Sequence, residues 1–261
     1  MSKSSIEWTQ MTWNPTTGCN KLSAGCKFCY ALTMTKRLQA MRQEKYKNGF
    51  KLTIHPDTLE IPYTWKKPKT VFVNSMSDLF HKDIPLEYIK KVFKVMNDNP
   101  QHTFQILTKR GDVLADYDAR SEISWTPNIW MGVSVEDDKV TDRIDYLRNV
   151  KAEIKFLSLE PLLGPLTNLN LDNIDWVIVG GESGFKARPV KVEWIIEIKN
   201  HCRKNNIPFF FKQWGKPEFN INQNDPTIDA KNINHAKGGC MLKGKIYREL
   251  PAKRKISLKV A

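Results

Sequence analysis

The sequence predicts an α/β fold, a parallel (β/α) barrel left partly open, and three observations carry that prediction. Six short apolar runs rich in β-branched and aromatic residues recur between residues 70 and 214. Amphipathic helical patterns lie between them, and polar or glycine residues follow almost every run. Short continuous apolar runs are what strands buried on both faces look like. Repeated strand–helix units imply parallel strands joined by right-handed crossovers. Six or seven units favour a closed or partly open barrel over a flat sheet.

The elements follow in order. A strand before the first cysteines opens the series. The apolar runs are then "TVFVNSM" from Thr70, "HTFQILT" from His102, "NIWMGVSV" from Asn128, "IKFLSLE" from Ile154, "DWVIVGG" from Asp175 and "IPFFFKQW" from Ile207. Between them, "IPLEYIKKVFKVMND" puts Pro85 at a first helical turn and aligns Leu86, Ile89, Val92, Phe93 and Met96 on one face. "KVTDRIDYLRNV" aligns Val140, Ile144, Leu147 and Val150, and "KVEWIIEIKNHCRKNN" aligns Val192, Ile195, Ile198 and Cys202. Residues 216–239 are rich in Asn, Asp, Pro and Gly and read as a long loop outside the barrel. The expected division is a barrel domain over residues 1–215 and a basic C-terminal extension over 216–261.

At 261 residues the chain is long enough for a sizeable core, and 41% hydrophobic with 26% charged residues is a soluble globular composition. No apolar run approaches the ~20 residues a membrane-spanning helix needs. The start, "MSKSSIEWTQ", lacks the apolar stretch of a secretory signal, so a cytoplasmic location is expected. Thiols stay reduced there, and close cysteines are read first as metal ligands or redox groups. Net charge is +13, and residues 201–261 hold 13 basic against 4 acidic residues. That excess, interleaved with Trp214, Phe219 and Tyr247, suits a polyanion such as DNA or RNA.

In α/β folds chemistry gathers at the carboxyl ends of parallel strands. The residues standing there are Asn74, Ser75, Ser77 and Asp78; Thr108, Lys109 and Arg110; Ser134 and Glu136; Glu160; Gly180, Gly181 and Glu182; and Lys212, Gln213 and Trp214. Polar groups at all six ends are more than packing requires, and one shared pocket is expected.

Three of the five cysteines stand in "TWNPTTGCNKLSAGCKFCYA" as Cys19, Cys26 and Cys29, spaced C-x6-C-x2-C. Structural zinc needs four protein ligands. Cys202 falls on a core-facing helix stripe, where a free thiol behaves as a small hydrophobe. Cys240 and the histidines (His55, His81, His102, His201, His235) stand far from short metal-site spacing, although any remains open as a fourth ligand. A cluster of four irons held by three thiolates, with one iron open, is the alternative that ligand count favours.

These blocks, with "FVNSMSDLFH", "FQILTKR", "GVSVED", "FLSLEPLLGPL", "DWVIVGGESGFKARP" and "PFFFKQWG", closely resemble the phage-associated Gp-thirty-seven/Gp-sixty-eight family of uncharacterised proteins. The resemblance to that family runs from residue 7 to about 216, in seven blocks in the same order, and the family looks related to radical S-adenosylmethionine enzymes, to which the resemblance is narrower. That superfamily typically carries C-x3-C-x2-C with an aromatic residue before the last cysteine. "CKFC" matches with Phe28, while the first spacing here is six. The resemblance implies a 4Fe-4S cluster on Cys19, Cys26 and Cys29, and S-adenosylmethionine chelated to the open iron. It also implies an electron donor such as flavodoxin or ferredoxin, and a 5′-deoxyadenosyl radical that removes a hydrogen atom from substrate. The cofactor carries the hard chemistry and the protein supplies position and dryness.

Under that resemblance each strand end takes an expected role. Ser75, Ser77 and Asp78 would meet the methionine end or the ribose, and Ser134 and Glu136 the ribose hydroxyls. Lys109, counted as catalytic, or Arg110 would neutralise a carboxylate or phosphate. Glu160, followed by Pro161, would be the inward-facing catalytic carboxylate. Gly180 and Gly181 would admit adenine, with Glu182 beside them in the cofactor-binding set. The superfamily's "GGE"-like segment, which holds the methionine amino group, follows its second strand, whereas "GGES" here stands near the sixth, so that role does not pass to Glu182. Arg188, Lys212, Gln213 and Trp214 would line a substrate rim, Trp214 stacking a base. The expected activity is modification or repair of nucleic acid or a nucleotide-like substrate. The competing readings are the same chemistry on a peptide or small metabolite, and a non-catalytic zinc-bearing nucleic-acid-binding protein.

Overall fold

The computed structural model describes residues 4, 6–221 and 238–252. Seven parallel strands form its sheet in chain order: β1 (Met11–Trp13), β2 (Thr70–Val73), β3 (Thr103–Thr108), β4 (Ile129–Ser134), β5 (Ile154–Leu159), β6 (Trp176–Gly180) and β7 (Phe209–Gln213). The crossovers carry α1 (Tyr30–Ala40), α2 (Leu86–Asn97), α3 (Gly111–Ala119), α4 (Asp142–Arg148) and α5 (Val192–Lys204). Between β5 and β6 the chain crosses without a helix. Since β1 and β7 do not pair, the sheet is an open, curled half-barrel.

Alternation along each strand divides two cores. Outward residues such as Val71, Ile106, Met131, Leu157, Val179 and Phe211 pack with Ile89, Val92 and Phe93 of α2 and with Ile195, Ile198 and Cys202 of α5. Inward residues Phe72, Trp130, Ile154, Phe156, Trp176, Ile178 and Phe210 gather around Trp8. The Trp8 ring lies 4.8 Å from Phe72 on β2 and 6.3 Å from Trp176 on β6. Strands four places apart in the sheet thus reach one indole, and the sheet curls around it. Burying each of these rings stabilises the fold by about 1.5–3 kcal/mol. Gly132 of β4 makes room for this floor, because a Cβ there would lie 2.5 Å from the Phe156 ring.

Further along the strands the inward positions turn polar: Ser134, Ser158, Gly180 and Lys212, then Lys109, Glu136, Glu160 and Glu182. The half-barrel therefore has an aromatic floor at its amino end and a polar mouth at its carboxyl end.

The helices α2 and α5 form where their apolar spacing places them, with Pro85 as the N-cap residue of α2 rather than inside its first turn. Helix α4 is shorter than its pattern, since Val140 belongs to a separate 3-10 turn over Asp138–Val140. Within the segment read as an extension, residues 238–252 pack onto β7. Phe210 bridges Arg248 in antiparallel sense, Phe211 N donates to Tyr247 O at 3.0 Å, and Leu242 joins the outer core. That segment covers an otherwise open sheet edge. The remainder of the expected extension, 222–237 and 253–261, lies outside the described residues. Among the described residues no helix is long and apolar enough to cross a membrane.

Candidate active site

After β1 the chain crosses the mouth as the cysteine loop, and the end of β2 anchors its first part. Asn14 Oδ1 accepts from Ser75 Oγ and Met76 N, both at 3.1 Å. Thr16 Oγ1 accepts from Asn74 Nδ2 at 2.9 Å and pairs with Ser77 Oγ at 2.6 Å. Gly18 N donates to Met76 O at 3.0 Å. Gly18 has φ +81°, and a Cβ there would sit 2.4 Å from Lys51 O, so the turn before Cys19 requires glycine. Cys26 ends a 3-10 turn, Cys29 is the N-cap residue of α1, and all three thiols are partly exposed. The Tyr30 hydroxyl donates to Ser75 O.

Two clamps hold the rest of the loop. Glu136, whose side chain is 0% exposed, accepts from Ser23 Oγ, from Gly25 N at 3.0 Å, from Lys109 Nζ at 3.1 Å and from Arg143 NH1 at 2.9 Å. Burial pushes this carboxyl up, but Lys109, Ser23, Arg143 and the Gly25 N–H outweigh burial and hold it below the ordinary value. On the other side Glu182 accepts from Arg188 Nε at 2.7 Å and NH2 at 2.6 Å, and that NH2 also donates to Ala24 O at 3.0 Å. The Arg188 guanidinium lies 5.4 Å from the Phe28 ring centroid.

Asp78 is saturated. Its oxygens accept from Thr108 Oγ1 at 2.7 Å, Phe80 N at 3.0 Å, Lys109 N at 3.0 Å and Arg110 NH1 at 3.0 Å. Arg110 NH1 also lies 3.8 Å from Cys19 Sγ. Burial and the nearby Asp78 charge push the Cys19 thiol up to about 11 despite that guanidinium.

Glu160 differs from the other mouth carboxylates. It accepts from Ser158 Oγ at 3.1 Å and pairs with Lys212 Nζ at 3.0 Å. A Cβ on Gly180 would lie 2.6 Å from its Oε1, so glycine there leaves the carboxylate its place. Burial pulls the Lys212 ammonium down, but Glu160 and Glu7 hold it above its ordinary value.

The donor set matches an iron–sulfur cluster in the kind of its ligands, three partly exposed thiols on one loop at the mouth, and several of the other candidate ligands are buried or bonded elsewhere. Cys202 and Cys240 are buried, His55 pairs with Thr17 Oγ1 at 2.8 Å, and buried His81 accepts from Asp83 N. His102 packs between Trp65 and Phe104. His235 lies outside the described residues. Among the described residues no three His, Cys, Asp or Glu side chains are already gathered at metal-binding distance.

A family model described as a protein of unknown function (DUF5131) matches residues 3–251. The chain belongs to the DUF5131 family. No curated protein and no solved structure matches it.

In this DUF5131 protein the residues expected at the mouth come together, though many are spent on holding one another. Ser75, Ser77, Asp78, Lys109, Arg110, Glu136, Glu182 and Arg188 all enter the network under the cysteine loop. Ser134 is buried, with its carbonyl accepting from Arg143 NH1 at 2.8 Å. Gly181 sits against β7, where a Cβ would meet Trp214 O at 2.0 Å, so it provides close strand packing. Gln213 donates to Gly181 O at 3.0 Å. Trp214 is 0% exposed, packs 5.1 Å from Phe211 and donates to Met241 O; it has no free face on which to stack a base. Sequence reasoning missed Ser23, Tyr30 and Arg143. Of these, Arg143 alone left a signal, a basic residue on the inward stripe of α4 beside Ile144.

Proposed function

We propose that this protein is a radical S-adenosylmethionine enzyme, with Cys19, Cys26 and Cys29 holding a 4Fe-4S cluster at the mouth of the half-barrel. Its substrate is nucleic acid or a nucleotide-like molecule. The observation that carries this reading is the cysteine loop itself: three partly exposed thiols clamped by Glu136 and Arg188 across the carboxyl ends of a parallel sheet. Redox cofactor chemistry belongs at that end of such a sheet, and a three-thiolate set leaves one iron open. The "CKFC" half of the cysteine motif, with Phe28 before the last cysteine, resembles that of radical enzymes and supports the same reading. When bound, the cluster would supply the electron that cleaves the cofactor's sulfonium bond.

The protein's own residues then have distinct tasks. Glu136, Lys109 and Arg143 fix the loop at its centre, and Glu182 with Arg188 fixes its flank. Asp78 and Arg110 set the position of Cys19. Glu160 and Lys212 face the interior as an acceptor and a donor for polar groups of cofactor or substrate. The aromatic floor around Trp8 closes the amino end against water. Flavodoxin or ferredoxin is the proposed class of reductant.

Anaerobic reconstitution tests the metal centre. The protein should take up about four iron and four sulfide per chain, turn brown, and give a reduced-cluster EPR signal that Cys26→Ala removes. A colourless protein holding one tightly bound zinc would overturn the proposal in favour of a non-catalytic zinc protein.

A further inference from the structure

The stretch between β1 and β2 is strongly basic around the cysteine loop. Residues 16–51 hold eight basic residues, Lys21, Lys27, Lys36, Arg37, Arg42, Lys45, Lys47 and Lys51, against the single acid Glu44. Among the described residues only Lys47 of these eight has an ion-pair partner, Glu44. Helix α1, at the centre of this stretch, buries only Ala31 and Thr35 of its eleven residues. It leaves Met34 41% and Met41, beyond its end, 58% exposed. A helix that buries so little of itself is not held in place for the sake of the core.

Two exposed aromatic rings lie on segments that adjoin the cysteine loop, one directly after Cys29 and one on the loop whose Arg188 donates to Ala24 O. Tyr30, directly after Cys29, is 53% exposed although its hydroxyl is tied to Ser75 O. Phe185, beside Lys186 and three residues before the Arg188 that grips Ala24 O, is 93% exposed. Large rings in water beside cations are the parts of a single-strand platform: unpaired bases stack on the rings and phosphates meet the Lys and Arg side chains. We infer that the cysteine loop, α1 and the Phe185 loop form a binding face for single-stranded nucleic acid, which delivers a nucleotide to the mouth.

This inference deepens the proposed function and rests on the mouth being the reacting site, but binding is measurable without any cofactor. The probe is a fluorescein-labelled 20-nucleotide oligo-dT, followed by anisotropy with the full-length protein in about 50 mM salt. Lys36→Glu with Arg37→Glu should weaken binding more than about tenfold and reduce the slope of log K against log salt by about 1.4, at roughly 0.7 per lost phosphate contact. Lys66→Glu with Lys67→Glu makes the same change in net charge at the amino end of β2, away from the mouth, and should weaken binding less than about twofold. Phe185→Ala should weaken binding about tenfold with the salt slope unchanged, and the same duplex sequence should bind more weakly than the single strand. Absence of binding, equal losses in the two charge-reversed pairs, or a Phe185→Ala protein with wild-type affinity would each overturn the inference. An acidic protein bound by wild type and lost only in Lys36→Glu/Arg37→Glu, with oligo-dT unaffected, would reassign the face to protein docking. Cofactor cleavage by the reconstituted protein is read separately, so the failure of the chemistry and the failure of this face are distinguishable.

Discussion

The buried carboxylate of Glu136 accepts four hydrogen bonds, two from cations just after β3 and on α4 and two from the cysteine loop. Taking its charge away leaves Lys109 and Arg143 facing each other with no anion between them. Removing one partner of a buried ion pair typically costs about 3–5 kcal/mol. Partly exposed Lys109 keeps some access to water, so Glu136→Gln should cost about 3 kcal/mol by urea denaturation. The same variant should hold less iron after reconstitution than wild type. Unchanged stability and iron content would mean that Glu136 does not position the loop. Much of this site was legible residue by residue, because Asp78, Lys109, Glu136, Glu160 and Glu182 all follow strands that their apolar runs announce. What could not be read was how their bonding capacity is used. Ser23 meets Glu136 across 113 positions, and spacing along the chain carries no trace of such a pair. Glu182 and Arg188, six apart, were within reach as a pair because both lie on one short loop.

At the scale of elements, legibility followed burial. The strands from β2 to β7 are continuous apolar runs, and α2 and α5 bury full stripes. Helix α1 buries two residues and α3 only Gly111, Leu114 and Asp118, so neither carries a core-facing pattern to read. The C-terminal segment was assigned to an extension because its composition is basic and loop-like. Its attachment runs through Glu249, whose carboxylate accepts from Phe209 N at 3.0 Å and Arg203 NH1 at 2.9 Å, while its carbonyl accepts from Trp176 Nε1 at 2.8 Å. Burial raises the Glu249 carboxyl, but Arg203 and the Phe209 N–H prevail and hold it below its ordinary 4.5. A depressed carboxyl stabilises the fold fully above the unfolded value, and that contribution is lost as pH falls through the folded one. Arg203 and Glu249 side chains are 49% and 36% exposed, so screening keeps the effect small. Glu249→Gln should lower stability by about 0.5–1 kcal/mol at pH 7, and the gap to wild type should close as pH drops below 4.5. A gap that persists in acid would place the effect in packing rather than charge.

Across the whole molecule, one gradient organises the half-barrel. Its inward positions run from the Trp8 floor through serines and glycine to a rim of charges, and the cysteine loop closes over that rim. The charge of the chain is placed to match, since the basic stretch around α1 continues directly from the cysteine loop. The central claim is that these three thiols support reductive cleavage of S-adenosylmethionine. Its most direct test is the release of 5′-deoxyadenosine by anaerobically reconstituted protein given dithionite and S-adenosylmethionine. Wild type should release it and the single alanine variants at Cys19, Cys26 and Cys29 should not. A reconstituted, iron-loaded wild-type protein that releases none, or cysteine variants that release as much as wild type, would contradict the claim.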